Sequence, residues 1–251
     1  MRPILPVLPA LVLIALALSA PTYAGDRMEA ARHAVHHHHG GTSYGMIMAE
    51  RLEVQSLGGD PALVWDIEAF YGGDRDKLKF KSEGAYNFDA DAFDEAELQF
   101  LLTRAIGPFM DVQFGLRQDL GDGPALTHLA IGLEGLLPHF IETDSTLFLS
   151  DDADLTASLE FEYELLFTQR LVLAPRIEVG LSAQPIPERH TGAGLTHAAV
   201  GARLRYEFKR EIAPYVGIEW NRAVGETADF VRAEGEQAGT VSVLFGLRLW
   251  M

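Results

Sequence analysis

A two-residue alternation of apolar and polar side chains, clearest between Leu155 and Glu178, most constrains what this chain can fold into. Its apolar positions are Leu155, Ala157, Leu159, Phe161, Tyr163 and Leu165, and its polar positions are Thr156, Ser158, Glu160, Glu162 and Glu164. After a break near 167–170 the alternation resumes, with Arg176 and Glu178 among the polar positions. Because successive side chains of a strand point to opposite faces, this period predicts consecutive β-strands with one apolar and one charged face.

Similar runs continue along most of the chain. We count twelve, at 46–56, 62–72, 76–87, 92–104, 108–118, 124–136, 140–150, 154–166, 170–182, 194–208, 213–223 and 239–251. The breaks after even-numbered runs are short, whereas the two longest, 183–193 and 224–238, follow odd-numbered runs. Strands of about ten residues with loops sorted in this way are typical of bacterial outer-membrane barrels with both ends in the periplasm. We therefore predict an all-β fold, a twelve-stranded antiparallel transmembrane β-barrel over residues 46–251.

The first 45 residues have a different character. Residues 1–24 have the pattern of a secretory signal peptide, with Arg2, an apolar core at 11–18 and small residues before Gly25. That core is too short for a membrane-spanning helix, which needs roughly 20 apolar residues. Residues 25–45 are rich in histidine and lack an apolar period, and we expect a flexible periplasmic segment. The chain is thus expected in the outer membrane of a Gram-negative bacterium, in contact with lipid.

Charge and motifs exclude several function classes. The formal net charge is −16 and no cysteine is present, so we expect no disulfide framework, no nucleic-acid partner and a preference for cations. The motifs H-E-x-x-H and G-x-S-x-G and the phosphate-binding loop are absent from the sequence, so no enzyme is predicted. A lipid hydrolase is disfavoured because His128 and His197 fall on the lumen parity, away from lipid-facing Thr143 and Ser145.

The polar face of the predicted strands would line the barrel lumen. By parity, its acidic residues include Asp66, Glu68, Glu95, Glu97, Glu134, Glu142, Glu160, Glu162 and Glu164. Two interpretations remain open. The carboxylates form ion pairs with lumen lysines and arginines and partly fill a narrow barrel, or they line a passage or site for cations.

Histidine and methionine side chains supply candidate metal ligands. The candidates are His33, His36, His37, His38, His39, Met46, Met48, His128 and His197. Neutral imidazole is a common ligand for copper, nickel and zinc, and thioethers favour Cu(I). The histidine tract is equally compatible with a solvated low-complexity linker.

Several longer segments carry a family resemblance. They are 65–84 (WDIEAFYGGDRDKLKFKSEG), 140–150, 166–178 (ending FTQRLVLAPRIE), 201–220 (GARLRYEFKREIAPYVGIEW) and the terminal GLRLW. With these segments in order, the chain resembles the copper resistance protein B family (CopB/PcoB), outer-membrane proteins of bacterial copper-resistance systems. The resemblance implies a monomeric barrel that binds or passes copper ions beside a periplasmic multicopper oxidase. The chain differs from this pattern in two ways. Members often carry a longer Met- and His-rich amino-terminal region, and outer-membrane barrels usually end on an aromatic residue, whereas this chain ends on Met251 after Trp250.

From residues and resemblance together we expect a copper-binding outer-membrane barrel. It would contribute to copper resistance by sequestering or exporting the ion, with Cu(II) suited to histidines and carboxylates and Cu(I) to the methionines. Two alternatives stay open, a general small-solute channel and a structural barrel that docks the periplasmic oxidase.

Overall fold

Twelve antiparallel strands close into a barrel, which confirms the fold predicted from the alternation. The computed structural model describes residues 42–56, 61–120, 125–233, 235 and 237–251. The strands are β1 (Tyr44–Ser56), β2 (Ala62–Gly72), β3 (Asp76–Asn87), β4 (Ala92–Ala105), β5 (Met110–Asp119), β6 (Thr127–Leu137), β7 (Ile141–Ser150), β8 (Leu155–Tyr163), β9 (Leu165–Leu166), β10 (Leu171–Ser182), β11 (Gly194–Tyr206), β12 (Ile212–Ala223) and β13 (Gly239–Trp250). The short β9 continues β8 beyond Glu164, so the two form the eighth strand.

Each strand pairs with its neighbours in the chain, and the first and last strands close the sheet. β10 pairs with β8 and β9 on one side and with β11 on the other. β1 pairs with β13 from Met48 opposite Trp250 to Ser56 opposite Val243. Closure gives every strand two partners and leaves no sheet edge. No helix in the part of the chain described is long and apolar enough to cross a membrane.

The two ends of the barrel differ in their connections. The end that holds the start of β1 and the end of β13 has short turns at 73–75, 106–109, 138–140, 167–170 and 207–211, and we name it the turn end. The opposite end, the loop end, carries the longest connections, 183–193 and 224–238. The second of these contains helix α1 (Gly225–Ala233), which the sequence pattern does not predict.

The outer face of the barrel is apolar over most of its surface. On β4, Phe100 and Leu102 are each 61% exposed, while the intervening Leu101 points inward and is 2% exposed. Near the loop end Phe93 packs edge-on against Trp65 and Tyr86, with ring centroids 5.9 and 5.2 Å apart. An apolar band with aromatic residues towards its edge is the surface that a barrel presents to lipid.

A β-bulge interrupts the regular alternation in β1. Between Ala49 and Glu53 the register against β13 shifts, so that β1 carries one more residue than its partner. A bulge of this kind re-aims the side chains around it. As a result the consecutive residues Glu50 and Arg51 both line the interior, and Glu53 is buried with 1% exposure.

Candidate functional site

Lysine residues of β3 form ion pairs inside the lumen with carboxylates of other strands. The Lys79 ammonium lies 2.8 Å from Glu68 Oε1 and 2.6 Å from Glu134 Oε1. Lys81 donates to Asp144 and lies 3.4 Å from Glu134 Oε2. Lys79 is 7% exposed, and a buried ammonium requires such carboxylate partners. These contacts tie β2, β3, β6 and β7 together across the interior.

A second network is built on arginines. Arg203 donates from Nη2 to Glu53 Oε1 at 2.8 Å and from Nε to Glu53 Oε2 at 3.0 Å, a bidentate pair. The same Nη2 lies 3.0 Å from Glu219, and the Tyr215 hydroxyl donates to Glu53 at 2.9 Å. Because Glu53 is almost without contact with water, its charge depends on these donors.

Other lumen arginines pair with carboxylates in the same way. The pairs are Arg176 with Glu160 and with Glu178 (2.9 Å), Arg51 with Asp66 (3.0 Å), Arg117 with Glu97 (2.7 Å), Arg205 with Glu164, and Arg248 with Glu50 (3.5 Å). Most of these side chains are less than one third exposed, and the pairs therefore occupy space inside the barrel rather than on its rim.

Five guanidinium groups converge on one small space in the lumen. Arg51, Arg176, Arg203, Arg205 and Arg248 surround it together with Glu50, Glu160 and Glu162, and the space left is about 20 Å³. Such a volume holds about one water molecule. We name this group the arginine cluster. The ion-paired side chains of this cluster therefore fill most of the space that they surround.

A larger cavity opens on the side of the long connections. It has a volume of about 1130 Å³, and we name it the chamber. Its wall includes the acidic residues Glu83, Glu95, Glu97, Asp119, Asp144, Glu160 and Glu178, and the imidazoles of His128 and His197. Carboxylates that line a concave wall concentrate the negative potential and raise the local concentration of cations.

Both chamber imidazoles contact a carboxylate. His197 Nε2 lies 3.3 Å from Glu178 Oε1, and His128 Nε2 lies 3.1 Å from Asp119 Oδ2. The Nδ1 atom of His128 is buried and has no hydrogen-bond partner within the described ranges. In the same ranges, no three histidine, aspartate or glutamate side chains are already arranged to hold a metal ion.

Comparison with known proteins decides the family. The family model described as "Copper resistance protein B precursor (CopB)" matches residues 43–251. The chain belongs to the copper resistance protein B family. It is 37% identical over 218 residues to the Copper resistance protein B homolog of Pseudomonas syringae pv. tomato, covering 87% of this chain and 74% of that protein. It is 38% identical over 206 residues to Copper resistance protein B of Escherichia coli, covering 82% and 69% respectively.

The fold of this copper resistance protein B family member is also found among porins. The NanC porin aligns with a TM-score of 0.52 and 8% sequence identity, over 82% of this chain and 99% of that one. At this identity the likeness concerns the fold alone. Family and fold together place the protein in an outer membrane and connect it with copper resistance.

The acidic residues predicted for the lumen of this copper resistance protein B barrel divide into two groups. Ion pairs within 4.0 Å involve Asp66, Glu68, Glu97, Glu134, Glu160 and Glu164. Among the residues described, no cationic side chain lies within that distance of Glu95, Glu142 or Glu162. The first group is thus neutralised by ion pairs, as the first interpretation of the acidic face expects, and the second interpretation stays a prediction.

The predicted metal ligands are spread along the chain. His128 and His197 share the chamber. Met46 and Met48 lie in the first part of β1, at the turn end, and Met48 Sδ is 3.5 Å from Arg248 Nη2. His33 and the tract of His36, His37, His38 and His39 fall outside the described residues.

Four lumen residues escape an analysis by strand parity. Glu50, Arg51 and Glu53 are hidden from it by the bulge in β1, which switches the inward-facing parity between Met48 and Arg51. The consecutive charges Glu50-Arg51 are the one sequence signal of that switch. Asp119 shares the inward-facing parity of Arg117 and is missed only because the predicted run ends at residue 118, one residue before the end of β5.

Proposed function

We propose that this member of the copper resistance protein B family binds copper ions in its chamber and contributes to copper resistance by sequestering or exporting them. The protein would act in the outer membrane of a Gram-negative bacterium, as a monomer and without catalysing a reaction. The observation that supports this proposal best is the chamber itself, where acidic side chains and two imidazoles share a cavity of about 1130 Å³. Copper is here the cargo.

The ligand chemistry favours Cu(II) inside the chamber. His197 and Glu178 offer an imidazole and a carboxylate 3.3 Å apart, and Glu95 in the same wall adds a carboxylate without an ion pair to any described side chain. Nitrogen and oxygen ligands suit Cu(II), whereas the thioethers of Met46 and Met48 suit Cu(I). We propose that the tract His36–His39 captures copper first, and that the chamber holds it next.

Copper titration of the full chain in detergent tests this assignment. We expect His197→Ala to weaken Cu(II) binding at one site by about tenfold or more, since a lost ligand or ligand partner costs that much in metal sites. Replacement of His36–His39 by alanine should remove a separate set of bound ions. The matched control is His139→Ala, because His139 is an exposed histidine in a turn at the turn end, away from the chamber. Unchanged binding in the His197 variant removes the chamber from the proposal, and unchanged binding in the tract variant removes the tract.

Two other roles for the barrel are separated by different measurements. If the barrel is a general small-solute channel, it would carry a steady ohmic current across planar bilayers, and copper would not alter that current. The volume of the chamber is the observation that favours this role. A structural barrel that docks a periplasmic multicopper oxidase would co-purify with that enzyme while both histidine variants bind copper like the parent.

A further inference from the structure

The connection 183–193 packs against helix α1 at the loop end. The backbone N–H of Gly192 donates to Thr227 Oγ1 at 2.9 Å, and that of Ala193 donates to Glu226 Oε2 at 3.2 Å. These bonds join connection 183–193 to the first turn of α1. We name connection 183–193 together with α1 the lid.

The lid reaches across the mouth of the barrel to a distant strand. From the connection between β10 and β11, Arg189 donates through Nη1 to Asp119 Oδ2 on β5 at 2.6 Å. In the sheet, β6, β7 and β8 lie between these two positions. Asp119 is held in place on its own wall, because it also accepts from Arg117 Nε at 2.7 Å and lies 3.1 Å from His128 Nε2.

The inner side of the lid forms part of the chamber wall. Ile186, Arg189 and Thr191 all line that cavity, and Ile186 is 8% exposed. A second tie runs from Gln184 Nε2 to Asp154 Oδ1 at 2.9 Å, at the turn between β7 and β8. The position of the lid therefore decides how much of the mouth is open above the chamber.

We propose that Arg189 is a latch, which holds the lid across the loop end and so sets the size of the solutes that reach the chamber. The bond to Asp119 joins two charged groups, only 30% and 9% exposed, and charge-assisted bonds are roughly twice as strong as neutral ones. The bond of Gln184 to the Asp154 carboxylate has one charged partner, whereas the Arg189 bond has two and is also an ion pair. This role is independent of which solute the chamber holds, and it stands even where the copper assignment fails.

Cysteine labelling measures the opening directly, since the chain has no cysteine of its own. Ser158→Cys places a reporter on the chamber wall. Its reaction with a small methanethiosulfonate and with a bulky fluorescein maleimide is followed in detergent. In the Arg189→Ala background we expect the bulky reagent to react about tenfold faster or more, as the loss of a hydrogen bond between charged groups allows. The rate with the small reagent should change little.

A second arginine of the lid provides the matched control. Arg232 on α1 is 53% exposed and pairs with Asp229 on the same helix, so Arg232→Ala should label at the parent rate with both reagents. A reporter at the exposed Asp152 checks the intrinsic reactivity of each reagent. Arg189→Gln, which keeps most of the side chain, replaces the alanine variant if the latter does not show the heat-dependent gel migration of a folded barrel. A parent-like rate with the bulky reagent overturns the latch, and so does an equal acceleration of both reagents, which indicates general loosening.

Discussion

At the scale of single residues, the interior of this barrel is organised by charges that are buried and paired. Glu53 is the extreme case, since it is 1% exposed and accepts two bonds from Arg203 and one from Tyr215. Such a carboxylate holds three strands, β1, β11 and β12, in one arrangement. Its contribution is to the uniqueness of the packing as much as to stability, because the charge is satisfied only in that arrangement.

Replacing Glu53 tests this view. Glu53→Ala leaves the Arg203 guanidinium buried with Glu219 as its remaining carboxylate within 4 Å, and we expect the free energy of unfolding to fall by about 3 kcal/mol. Titration of the protein in lipid vesicles with guanidinium chloride, followed by tryptophan fluorescence, measures this free energy. Asp229→Ala removes a carboxylate from an exposed pair and should leave the unfolding midpoint in place. Equal midpoints for the two variants would show that the buried pair adds nothing.

At the scale of elements, the sequence predicts regular strands well and their irregularities poorly. The alternation from Leu155 to Glu178 specifies both faces of β8 and β10, and Glu160 and Glu162 do line the interior. It cannot specify where two stretches of opposite parity join, as they do in β1. Short helices are equally hidden, because α1 gives only weak end signals, Glu226 in its first turn and Arg232 in its last.

A deletion in β1 tests the bulge. Removing Glu50 restores a regular alternation in which Met48, Arg51 and Glu53 still face inward, so we expect the barrel to fold and to migrate as a heat-modifiable band. Removing Ile67 from the middle of β2, a strand that pairs with β3 without a bulge, shifts the register by one and turns the inward side chains on one flank of the deletion towards lipid. That variant should fail to fold. Equal folding of the two deletions would show that the barrel accepts the loss of one residue whether or not a bulge is there to remove.

At the scale of the whole molecule, the candidate site is a property of many strands at once. The acidic rows are readable in the sequence because parity assigns them to one face. Their pairing is not readable, since Lys79 finds Glu134 on a strand three places away and Arg203 finds Glu53 across the barrel closure. The chamber, the arginine cluster and the lid exist only once the sheet has closed. Which carboxylates are left without an ion pair is decided at the same point.

Among the described residues, ten carboxylates and four lysine or arginine side chains line the chamber, and this imbalance predicts a negative potential inside it. With Ser158→Cys as reporter, a positively charged methanethiosulfonate should react about tenfold faster than a negatively charged one, after division by their rates with a free thiol, because an acidic cavity concentrates cations. Raising the salt to about 1 M shortens the Debye length to about 3 Å, and the ratio should then approach one. Glu95→Gln should lower the ratio at low salt, whereas Asp91→Asn, outside the chamber wall in an exposed turn, should not. A ratio near one at low salt would mean that the lumen cations neutralise the chamber, and copper would then gain no electrostatic attraction from it.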